Sequence, residues 1–214
     1  YVPLLSALSA LFHLQLVFIM TKFASAIAVR NLLHLTTGTA LCLILTPDHW
    51  LAVSDEIRLG RCLIKNLNLC MFSSSSSEAT EAVKAVASAI REDRNLESLV
   101  LGMEDGFTDE AGVALAEALT INKTLRKLVL EDNSFVSDYD DTKASLGAQA
   151  YEAFGAMLRV NTGIELDLPA LDADVVNQRL VDSRNQMLIE QRLNKVGRGR
   201  LLASSQTPRE AWVD

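Results

Sequence analysis

A chain of 214 residues, 49% hydrophobic and 22% charged, is long enough to bury a sizeable core and too apolar to stay disordered. Its net charge of −7 disfavours nonspecific nucleic-acid binding, which needs positive charge against phosphates. The charge is uneven: none of the acidic residues precedes Asp48, 23 acidic face 11 basic side chains between Asp48 and Gln178, and six basic face two acidic between Arg179 and Arg200.

In chain order, residues 2–20 form an uncharged, largely apolar run, and a second apolar stretch extends from residue 23 to Leu45. Length and hydropathy make the first run a candidate membrane span, although His13 and Gln15 sit near its middle. The alternatives for residues 1–47 are a cap on the domain that follows or a gene-model artefact. Trp50, Leu51, Ile57, Leu59 and Leu63 are expected to contribute to an N-terminal cap.

Beyond this the chain repeats itself. Ile64-Lys-Asn-Leu67-Asn-Leu69, Leu96-Glu-Ser-Leu99-Val-Leu101 and Leu125-Arg-Lys-Leu128-Val-Leu130 share one frame, and Ile164-Glu-Leu166-Asp-Leu168 is a copy shorter by one residue. Each is short and alternating, as expected for a strand with one buried face. Between them lie alanine-rich helical patterns over residues 78–91, 109–119 and 146–160. Val83, Val86 and Ile90, then Val113, Leu115 and Leu119, then Phe154, Met157 and Leu158 mark their apolar faces. Start signals precede the first two, in a serine run ending at Ser77 and in Thr108. Six residues separate the last apolar helix position from the strand in three cases: Ile90 to Leu96, Leu119 to Leu125, Leu158 to Ile164. Strand starts recur at about 32, 29 and 39 residues, so loops must be inserted, and Ser73–Ser77 and Ser134–Ser145 are the places for them.

The segment from Leu96 to Asn133 resembles the leucine-rich repeats of the ribonuclease-inhibitor type, with Gly112, Leu115, Ala116, Leu119 and Asn122 matching that frame in order. Met187 to Leu202 is similar to closing segments that follow such repeats in algal proteins, as in a short, divergent member. The resemblance implies an α/β leucine-rich-repeat solenoid: a short arc of parallel strands on the concave face, helices on the convex face. The expected divisions are 1–47, repeats over 48–183, and a C-terminal cap and tail over 184–214. The turn position often held by Asn is Phe72, Glu104 and Asn133, so the arc should be irregular.

Signals for chemistry are sparse. His13, His34 and His49 all precede the repeats, and none recurs at metal-ligand spacing. A Cys–His pair would have to join His49 to Cys62 or Cys70. Cys42, Cys62 and Cys70 fit neither a disulfide framework nor a zinc site and read as reduced, packed thiols. No phosphate-binding or dinucleotide glycine pattern occurs. No catalytic residue, metal or cofactor is therefore expected.

Binding is expected on the concave face, where Asn66, Asn68, Ser98, Val100, Lys127, Val129, Glu165 and Asp167 stand between the buried leucines. An acidic loop of Glu131, Asp132, Asp138, Asp140 and Asp141 follows the third frame. It lacks the central glycine and terminal Glu of a calcium loop. The expected function is a noncatalytic, cytoplasmic protein-interaction scaffold for a partner with a basic surface. The resemblance also implies two alternatives, regulation of a small GTPase or of actin filaments. The apolar N-terminus alone suggests another, a membrane-anchored receptor fragment.

Overall fold

The structure is a computed structural model in which residues 17–20, 40–71, 75–103, 106–132, 146–169 and 177–197 are described. Strands β1 (Val17–Met20), β2 (Ala40–Leu45), β3 (Asn66–Met71), β4 (Ser98–Met103), β5 (Lys127–Asp132) and β6 (Glu165–Asp167) form one parallel sheet in chain order. Helices α1 (Pro47–Arg58), α2 (Ser76–Ile90), α3 (Asp109–Ile121) and α4 (Ala148–Val160) link β2 to β6, and α5 (Gln178–Val196) follows. Each helix from α1 to α5 packs on its sequence neighbour, so the helices cover one face of the sheet, and among the described residues no helix packs on the other. This is the α/β leucine-rich-repeat arc that the frames imply.

The strand frames hold the core in register. Leu67, Leu99, Leu128 and Leu166 are direct cross-strand partners, as are Leu69, Leu101 and Leu130, and all are buried. Neighbouring strands lie about 4.8 Å apart, so these leucines stack into continuous rows. Each buried leucine contributes about 1.5–3 kcal/mol, and a row exists only because every repeat supplies its rung.

The sheet crosses the boundary expected at residue 48. Val17 pairs with Leu41 and Leu41 with Leu67, so β1 and β2 continue the same ladder inside residues 1–47. Their spacings, 24 residues from Val17 to Leu41 and 26 from Leu41 to Leu67, are closer to an ordinary leucine-rich repeat than those downstream. Val17–Met20, the described part of the apolar run 2–20, is strand rather than helix. No helix among the described residues is long and apolar enough to cross a membrane.

Local chemistry sets the helix ends. Ser75 caps α2, its hydroxyl accepting from the Glu78 amide at 3.3 Å, and Ser76 and Ser77 form the first turn. The last three serines are thus a helix start rather than a spacer, because a hydroxyl satisfies an amide that the helix leaves open. Thr108 caps α3 in the same way, accepting from Ala111 at 3.3 Å. His49 Nδ1 sits 2.8 Å from the Thr46 hydroxyl and accepts from the Thr46 amide at 3.4 Å at the start of α1. Of the expected N-terminal cap, Trp50 and Ile57 are buried, while Leu51, Leu59 and Leu63 are exposed. Val113 is only half-buried; Ala111, Gly112 and Ala118 take its place on the inner face of α3.

Gly112 is where helices α3 and α4 touch. A Cβ there would stand 2.6 Å from the Ala150 methyl and 2.7 Å from a Leu146 methyl, so only glycine permits this spacing. The start of α4 is unusual. Its N-cap is Gly147, with no side chain to offer, and the Asp109 carboxylate of α3 accepts from the Ala150 amide at 2.7 Å instead. One repeat therefore caps the helix of the next.

Candidate interaction surface

Three rows of side chains run across the open face. The first is Asn66, Ser98, Lys127 and Glu165; the second is Asn68, Val100, Val129 and Asp167; the third is Cys70, Gly102 and Glu131. The eight positions singled out on the concave face thus lie side by side in the first two rows. Asn66, Lys127, Glu165 and Asp167 are exposed, and Asn68, Ser98 and Val100 are half-buried. Val129 departs from expectation: it is 8% exposed, a short side chain on an inner strand, and contributes floor rather than a projecting contact.

The face is graded along the arc. From β3 onward, β3 contributes two amides and a thiol, the next positions a hydroxyl and two valines, and the late end Lys127 with Glu131, Glu165 and Asp167. Glu131 is exposed at the end of β5 and belongs to this face. Asp132 closes β5, and the description does not extend to its side chain; Asp138, Asp140 and Asp141 lie outside the described residues, as do Phe72, Glu104 and Asn133.

What holds the rows in place is a ladder of side-chain amides at the turns entering the strands. Asn122, 3% exposed, donates to the carbonyls of Ile90 at 2.6 Å and Asp93 at 2.9 Å in the preceding turn. Its own oxygen accepts from the amides of Thr124 and Leu125 at 2.9 and 2.8 Å. Asn161 repeats the backward reach, to Leu119 and Asn122 carbonyls, both at 2.8 Å. Asp93 holds the equivalent place one repeat earlier, accepting from Asn95 and Leu96 amides at 3.0 and 2.7 Å. A carboxylate cannot donate, and Asn95 instead reaches back to the Cys62 carbonyl at 3.4 Å. The six-residue spacing has its cause here: one side chain ties the helix end to the strand start.

The late end of the arc is closed by α5. Asn194 donates to the Leu158 carbonyl at 2.7 Å and Gln191 to the Leu166 carbonyl at 2.6 Å. Arg159 pairs with the buried Glu190 at 2.9 Å, and Arg179 with Glu152 at 3.1 Å. Burial raises the Tyr151 phenol above its ordinary pKa, against the opposing pull of the Arg184 guanidinium charge.

Cys62 is a buried thiol, and Cys70 is half-buried on the open face, its thiol donating to the Asn68 side-chain oxygen at 3.5 Å. Burial, chiefly, raises the Cys62 pKa, which favours the unreactive thiol over the thiolate. His49 is engaged by Thr46. Among the described residues no group of three or more His, Cys, Asp or Glu side chains is placed to hold a metal.

No family model matches the chain, and no curated protein matches it. Among solved structures it is similar in fold to leiomodin-1 actin-binding site 2, with a TM-score of 0.50 and 15% identity over 83% of this chain and 95% of that one. The likeness concerns the fold.

Proposed function

We propose that the chain is a noncatalytic protein-interaction scaffold of the cytoplasm, related to ribonuclease-inhibitor-type repeats, that binds through its concave face. The observation carrying this reading is the contrast between the two sheet faces. One is sealed by helices, whereas the other presents aligned polar and charged rows on a rigid floor. Rigid rows lower the entropy lost on binding. The acid at the late end suits a partner with a basic patch, which would be steered at low salt.

A photocrosslinking residue placed at Ser98 on the open face, and another at Glu117 on α3, tests this. Adducts to partner proteins should form from position 98 and be suppressed by Glu131→Lys with Glu165→Lys. Adducts from position 117 alone would rule the concave reading out.

A narrower reading makes actin the partner. It is favoured by one observation, that the solved neighbour is an actin-binding domain. Cosedimentation with actin filaments, together with pointed- and barbed-end elongation assays, decides it. Absence of any effect leaves the scaffold without actin as its target.

A further inference from the structure

We propose that the cleft between β6 and α5 is a second docking surface, which takes an acidic segment of a partner protein anchored by an apolar side chain. The cleft has a volume of about 340 Å³, near the low end for ligand sites. Its floor is apolar, made by buried Leu166, half-buried Leu168 and the partly exposed Leu188. Its rim is cationic: Arg184, Arg192 and Lys195 line it, against a single carboxylate, Asp167. These cations and Leu188 recur along one stripe of α5, spanning about 16 Å at 1.5 Å per residue.

Arg184 also faces the Tyr151 phenol, but the other two charges of the rim are not used internally. Nearby Arg159 and Arg179 are consumed by Glu190 and Glu152, whereas Arg192 and Lys195 make no ion pair among the described residues. Basic side chains held beside an apolar floor in a chain of net charge −7 complement acidic groups flanking an apolar one. Among the described residues three cations line the cleft, fewer than the clusters of about four to eight usual at a lipid surface. The Gln191 bond to the Leu166 carbonyl fixes helix against strand, so the walls are formed before any ligand arrives. This surface adjoins the acidic end of the concave face at Asp167 but carries the opposite net charge, and its partner need not be the same molecule.

The test uses the whole chain and a fluorescein-labelled amphipathic peptide of roughly 12 residues, with leucines at helical spacing among glutamates. Saturable binding is expected, weakening with salt and shifting the backbone amide resonances of residues 166–168 and 188–195. Arg192→Glu with Lys195→Glu should lower affinity at least about tenfold while leaving the melting temperature unchanged, since both side chains are exposed. Leu188→Asp should weaken binding independently through the anchor. Unchanged affinity in the double variant overturns the proposal, as does absence of binding up to about 1 mM peptide. Phosphatidylserine vesicles that bind the stripe and resist displacement by the peptide would overturn it too, as would self-association that occludes the cleft.

Discussion

The two rims of the sheet are built on opposite principles. At the rim where chain enters the strands, Asn122 and Asn161 each bridge two turns, and the Asp93 carboxylate fixes its own turn at the equivalent place. The spacing there is fixed at six residues in three repeats. At the rim where chain leaves the strands, the links to the next helix vary in length: residues 72–75, 104–108, 133–147 and 168–177. A buried backbone amide or carbonyl tolerates no change in distance to its partner, whereas a link on the surface can grow at little cost. The first rim therefore stores stability and the second stores sequence freedom.

The comparison breaks if the ladder is not the stabilising rim. Asn122→Ala leaves two carbonyls and two amides without their partner, and unfolding free energy should fall by about 3 kcal/mol, read by urea denaturation. Asn122→Asp should lose less, because the acceptor half survives as it does at Asp93. A loss under about 0.5 kcal/mol for the alanine variant would mean that the ladder only decorates a core fixed by leucines.

Most of this was legible in the residues. The three full frames and the six-residue register marked the strands, and the resemblance that Asn122 helps to carry implied the parallel arc and the rows of its concave face. Asn161 and Asp93 also fall three residues after the last apolar helix position, a signal available in the sequence. The first two strands were hidden for a physical reason. Leu14-x-x-Val17-x-Ile19 follows the frame, whereas Leu41-x-Leu43 matches only its last two positions with Gly38 at the first, and the intervening residues are mostly apolar as well, so alternation has no contrast. The cleft of β6 and α5 joins residues 16 to 29 positions apart with no shared motif, and only tertiary packing brings them together.

A smaller effect sharpens the contrast on the other rim. Asp109 caps α4 across the repeat boundary, and Asp109→Ala should cost about 1–2 kcal/mol in the same assay. Asp109→Asn, which keeps an acceptor oxygen, should recover most of it. If alanine is tolerated as well as asparagine, the outgoing rim has no fixed point at this helix. The smallest change belongs to the variable links. Four Gly-Ser residues inserted between Asp138 and Asp140 should shift stability by no more than about 0.5 kcal/mol. A larger loss would show that this link is as constrained as the ladder.

The ladder also has a direction. Each side-chain amide satisfies carbonyls of the repeat before it, so every turn is completed by chain that lies downstream. The carbonyl of Leu158, which occupies the place of Ile90 and Leu119, is met by Asn194 of α5, a helix that supplies the amide a following turn supplies elsewhere. During synthesis the early repeats leave the ribosome first, holding polar groups open until their successor arrives. The array would then remain receptive at its growing end until α5 emerges and a plain helix supplies the missing amide.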